Sequence, residues 1–81
     1  MDYRVIQEFT LPGDPPTQDR LDRLRARLTA AAPGASIELG IGRMLVHMTV
    51  SATDAERAVA SARDTASGVL GRRAAHAEIA P

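Results

Sequence analysis

The chain of 81 residues contains no cysteine and no tryptophan, and it has one phenylalanine and one tyrosine. Without cysteine it cannot form a disulfide bond, a thiolate metal site or a thiol nucleophile. The shortage of aromatic side chains means that Leu, Ile, Val, Met and Ala must fill the core. A core of such small side chains favours an oligomer, because association would bury further apolar surface.

The chain also lacks an excess of charge of one sign, since its formal net charge is zero. It contains arginine but no lysine. A general nucleic-acid binder needs a basic field, so we expect no nucleic-acid partner. The opening residues MDYRVIQEF carry charges among the apolar positions. They therefore predict neither a signal peptide nor a membrane span. We expect a cytoplasmic protein without membrane contact.

The first half of the chain predicts a strand, a helix and a second strand. YRVIQEFTL (Tyr3–Leu11) is rich in β-branched and aromatic residues, and PGDPP (Pro12–Pro16) stops that strand. Thr17 is the expected N-cap of a helix that APG (Ala32–Gly34) ends. The apolar stripe of this helix consists of Leu21, Leu24 and Leu28. SIELGIG then alternates as a strand, with Ile37, Leu39 and Ile41 on one side.

The second half repeats the pattern after a hairpin turn predicted at Gly42–Arg43. MLVHMTVS alternates as a strand, and Thr53 or Asp54 caps the next helix. AAHAEIA (Ala74–Ala80) is a final short strand after GRR (Gly71–Arg73). The apolar stripe of the second helix consists of Ala55, Ala58, Val59, Ala62, Ala66, Val69 and Leu70.

The order strand, helix, strand, strand, helix, strand predicts an α+β fold. Right-handed crossovers leave few ways to build it, and the commonest is the ferredoxin-like βαββαβ sandwich. In that sandwich two helices cover one face of a four-stranded antiparallel sheet, and the first and third strands are central. No linker or low-complexity segment suggests a boundary, so residues 1–81 are expected to form a single domain.

The alternation in each strand predicts which side chains lie on the sheet face without helices. In the third strand Met44, Val46 and Met48 should face the helices, which places His47 on the open face. In the first strand the core phase buries Gln7, which is either a conflict or the site of a bulge. The expected open-face residues are Ile6, Glu8, Leu45, His47, Thr49, His76 and Glu78, with Ala74 and Glu38 beside them.

Two functions remain open for this face. The preferred hypothesis is a non-enzymatic interface, in which Ile6 and Leu45 pack against a second copy or a partner protein, with the second strand as an alternative edge for strand addition. The alternative is a metal or small-molecule site formed by His47, His76 and Glu8, either for binding alone or for enzymatic activity in a dimer. The preferred hypothesis involves no cofactor, and a homodimer is the expected assembly.

Other readings of the sequence have less support. RNA-recognition domains display aromatic residues on their central strands, whereas Tyr3 and Phe9 are expected in the core. Arg20, Arg23 and Arg27 share one stripe of the first helix, which is typical of a solvated amphipathic helix. The alternative for these arginines is a phosphate-binding patch together with Arg72 and Arg73.

Overall fold

The computed structural model describes residues 1–11, 13 and 16–80, so most of the predicted Pro12–Pro16 break lies outside the described residues, as does Pro81. The described part is an α+β arrangement of two helices and one four-stranded antiparallel open sheet, as predicted. The elements are β1 (Asp2–Thr10), α1 (Gln18–Ala31), β2 (Ser36–Gly40), β3 (Arg43–Ser51), α2 (Ala55–Leu70) and β4 (His76–Ile79).

The strands lie in the order β2-β3-β1-β4, so the first and third strands are central. The β2–β3 hairpin differs from the prediction by one residue. Gly40 pairs with Arg43, and the turn is therefore Ile41–Gly42 rather than Gly42–Arg43. Gly42 supplies the left-handed backbone, with a φ of +69°, which glycine adopts without a steric penalty. Arg43 becomes the first residue of β3.

Both helices begin at the predicted caps. The Thr17 hydroxyl accepts a hydrogen bond from the backbone N–H of Arg20, and the Asp54 carboxylate accepts one from the N–H of Arg57. Gly71 ends α2 in the left-handed conformation, as the GRR segment predicts. Within the described ranges, neither helix combines the length and hydropathy needed to cross a bilayer.

The core lies between the helices and one face of the sheet. Its strand residues follow the predicted alternation, and its helix residues are Leu28 and a stripe of alanines. Because Ala58, Ala62 and Ala66 are fully buried, their small side chains let α2 lie close to the sheet. The buried apolar residues are Val5, Phe9, Leu21, Leu28, Met44, Val46, Met48, Ala58, Ala62 and Ala66.

Two predictions about apolar positions are wrong. Leu39 and Ile41 were expected beside Ile37 against the core, yet Leu39 is 43% exposed and Ile41 is fully exposed. The reason is that β2 is an edge strand that ends at Gly40. Ala74 was expected on the open face, but β4 begins only at His76, and Ala74 packs against the core instead.

Gln7 is buried without a bulge. It pairs with Val46 on one side and Ala77 on the other in an unbroken register, so the bulge hypothesis is wrong. Its Nε2 donates to the backbone carbonyl of Ala62 at 3.0 Å. Its Oε1 has no hydrogen-bond partner in the described part of the chain. The predicted conflict is therefore real, and only half of this amide is satisfied.

Candidate functional site on the open sheet face

The open face is the side of the sheet opposite the helices. The predicted open-face residues of β1 and β3 alternate with buried core residues, and those of β4 are exposed. His47 therefore points away from the helices, as predicted. The predicted residues found on this face are Ile6, Glu8, Leu45, His47, Thr49, His76 and Glu78.

The register decides which of these side chains meet. His47 lies opposite Ile6 on β1, and Ile6 lies opposite Glu78 on β4. In the next row of the sheet, Glu8 lies between Leu45 and His76. His47 and Glu8 are therefore diagonal neighbours rather than directly opposed, a separation that only long side chains bridge in an antiparallel pair.

His47 is the most enclosed polar side chain of the predicted set. Its Nε2 lies 3.3 Å from the Oε2 of Glu38, and its side chain is only 19% exposed. Its Nδ1 is buried and has no partner among the described residues. If Nε2 carries the proton and donates to Glu38, Nδ1 is an acceptor without a donor. The imidazole therefore has one unsatisfied nitrogen, which is closed off from solvent.

The other predicted ligands have partners of their own. The Nη1 of Arg43 lies 3.0 Å from Glu8 Oε1, and His76 Nε2 lies 3.7 Å from Glu78 Oε2. Each of the three predicted metal ligands therefore contacts a different side chain, and none of them contacts another. In the part of the chain that the structure describes, no group of three or more His, Asp or Glu side chains is placed to hold a metal ion.

Sequence reasoning missed the role of Arg43. It was assigned to the turn, whereas it starts β3 and pairs with Glu8 across the open face. The predicted hairpin turn was displaced by one residue, and this displacement left Arg43 out of the predicted strand and its open face. Glu38 was placed on the right face, but its contact with His47 follows from the β2–β3 register, which local sequence does not specify.

The apolar part of the surface has two components. Ile6 and Leu45 are half-buried at the centre of the open face. Leu39 and Ile41 are exposed beside it, on the β2 edge and in the turn that follows. Apolar side chains at the centre, with polar and charged side chains around them, form the pattern of protein–protein interfaces, which have an apolar core and a polar rim.

Comparisons with known proteins do not assign the chain to a family. No protein-family model, no curated protein sequence and no solved structure matches the chain. The chemistry of the open face is therefore what bears on function. It can bury apolar side chains and exchange ion pairs.

Proposed function

We propose that the chain is a small, non-enzymatic interaction module that self-associates or docks on a partner protein through its open sheet face or its β2 edge. We further infer a ferredoxin-like sandwich acting as a single unit. The βαββαβ element order and the central position of β1 and β3 support that fold.

The observation that carries the proposal is the uncovered face with Ile6 and Leu45 at its centre. Both helices contribute their buried residues to the other side of the sheet. A sheet with one face towards water usually carries polar side chains on that face. Apolar residues at the middle of such a face, surrounded by polar and charged side chains, therefore favour contact with another protein surface.

A second copy of the chain is the partner that this face fits best. A two-fold interface brings the same patch of both copies together. The face carries acidic groups (Glu8, Glu38 and Glu78) as well as Arg43 and histidines. Since both signs are present on this face, two copies can exchange ion pairs across a two-fold axis.

The β2 edge is the alternative contact. Because β2 is the outermost strand, one row of its backbone N–H and C=O groups has no neighbouring strand. Such an edge can pair with a strand of another chain. Leu39 and Ile41 add exposed apolar area at this edge, so a partner strand here would also cover side chains.

Substitution of Leu45 by glutamate tests the open face. If two copies meet there, the Leu45→Glu variant should raise the dimer dissociation constant by a factor on the order of tenfold or more, because it places a carboxylate in an apolar interface core. Size exclusion coupled to light scattering over a concentration series measures this. Ala60→Glu, an exposed change on α2, is the matched control and should leave the mass unchanged.

The two surfaces are separated by a Leu39→Glu variant. A loss of association in this variant but not in Leu45→Glu would assign self-association to the β2 edge. Dimerisation that survives both substitutions, or a monomer at every concentration of the unmodified chain, would remove the self-association form of the proposal. Docking on another protein would then need its own test.

A metal or small-molecule site remains the alternative function. His47, His76 and Glu8 lie on one face, and side-chain rotation away from Glu38, Glu78 and Arg43 would be needed to bring them together. Calorimetric titration with Zn²⁺ tests this alternative. Stoichiometric binding that His47→Ala abolishes, with the circular dichroism spectrum unchanged, would support a metal site; heat that does not depend on His47 would reject it.

A further inference from the structure

A cleft away from the open face lies where β1 ends, α1 begins and α2 ends. Its volume is about 180 Å³, and the residues that line it include Leu11, Leu24, Met44, Leu70, Arg20 and Arg72. These side chains come from distant parts of the sequence. The cleft is therefore a product of the tertiary fold, and no part of the interaction proposed above uses it.

The walls of the cleft are largely apolar. Leu24 belongs to the same helical stripe as Leu21 and Leu28, yet those two are buried and Leu24 is only partly covered. Leu11 and Leu70 are likewise partly exposed, and Met44 is almost completely buried. The cleft therefore leaves apolar surface in contact with water, and a ligand with an apolar body would cover it.

Two arginines lie at this apolar surface. Arg20 precedes Leu24 by one turn of α1, so both side chains lie on the same side of that helix. Arg72 follows the end of α2, and its Nη1 donates to the carbonyl of Thr10 at 3.1 Å, which holds the guanidinium at the end of β1. Among the described residues, neither arginine forms an ion pair, and the cleft wall contains no carboxylate.

We infer that this cleft binds a small carboxylate with a short unbranched apolar tail. The carboxylate would lie between Arg20 and Arg72, because guanidinium groups bind carboxylates through paired N–H donors. The tail would lie against Leu24, Met44 and Leu70. An apolar cavity of about 150 Å³ holds a benzene molecule, so a volume of about 180 Å³ suits a tail of about six carbons.

A homologous series of carboxylates tests both halves of the inference. Butanoate, hexanoate and octanoate are titrated into the full chain, and the methyl resonances of Leu11, Leu24 and Leu70 are followed by NMR. Each added methylene should tighten binding by about fourfold until the cleft is filled. Pentanol, which has the same alkyl tail as hexanoate without the charge, should bind more weakly than hexanoate, and added salt should reduce that difference.

Charge-neutral variants assign the anion contact. Arg20→Gln and Arg72→Gln should each weaken hexanoate binding by about threefold to tenfold, a modest effect because both side chains are exposed. Arg57→Gln is the matched control, because Arg57 is an exposed arginine in the first turn of α2, at the other end of the helix that Arg72 follows. It should leave hexanoate binding unchanged.

Three results would overturn the inference. They are an affinity that does not rise with tail length, equal binding of hexanoate and pentanol, and equal effects of Arg57→Gln and Arg72→Gln. Because both arginines are on the surface, their substitution should leave the fold intact, and the unperturbed NMR spectrum of each variant verifies this.

Discussion

A Gln7→Glu variant should lose roughly 3–4 kcal/mol of stability at pH 7 and recover most of it at pH 4. Gln7 is fully buried, and its Nε2 donates to the carbonyl of Ala62 at 3.0 Å and to the Sδ of Met48 at 4.0 Å. A protonated carboxyl group has nearly the shape of the amide and can donate to the same carbonyl. An ionised carboxylate cannot donate, and neither of the hydrogen-bond partners of Gln7 carries a positive charge.

The direction of the pH dependence follows from burial. Desolvation penalises the charged form, so the pKa of a carboxyl group at this position would rise in the folded state above its unfolded value of about 4.3. The destabilisation is therefore absent below about pH 4.3 and grows as the pH rises towards the folded pKa. A total stability of roughly 4–12 kcal/mol for a chain of this length makes the loss at pH 7 a large fraction of the whole.

Urea denaturation at both pH values, compared with the unmodified chain, measures the effect. Gln18→Glu is the matched control, because Gln18 is the exposed first residue of α1. The control loses a hydrogen bond from Gln18 to Asp22, and surface changes of this kind stay within about 0.5 kcal/mol. A Gln7→Glu variant that is equally stable at pH 4 and pH 7, relative to the unmodified chain, would contradict the burial of this side chain.

Ala62→Leu should destabilise the protein by about 3 kcal/mol, through overpacking rather than through loss of a contact. Ala62 is fully buried on α2, and its carbonyl lies 3.0 Å from the Gln7 side chain on the central strand. The helix backbone is therefore already close to the sheet. A leucine side chain can enter only if α2 moves outward or neighbouring side chains leave their preferred rotamers.

The Ala60→Leu variant isolates this packing effect. Ala60 is exposed on the same helix, and alanine and leucine have similar helix propensities. We expect a change within about 0.5 kcal/mol for this control, measured by thermal and urea unfolding. Equal stability of the two variants would mean that α2 does not lie closely on the sheet.

The sequence alone predicted the elements and the orientation of most side chains. The alternation of Met44, Val46 and Met48 placed His47 on the open face, and Thr17 and Asp54 marked where the helices begin. Such signals depend on residues only a few positions apart, because the strand and helix periods and the capping hydrogen bonds are local. They remain readable in a single sequence.

The strand register, and the exposure of side chains on an edge strand, could not be predicted in this way. The pairings of His47 with Glu38 and of Glu8 with Arg43 depend on how strands align, and one residue in the hairpin turn changed the role of Arg43. Leu39 has a core-like pattern but is exposed because its strand is at the edge of the sheet.

The open face and the cleft differ in the same way. Alternation predicted that a mixed polar and apolar face would be left open, whereas the placement of Arg20, Arg72 and Leu24 around one cleft was decided only by how the two helices pack in the folded chain. The physical reason is that periodicity selects the face on which a side chain lies, whereas contacts between distant residues depend on the packing of the whole chain.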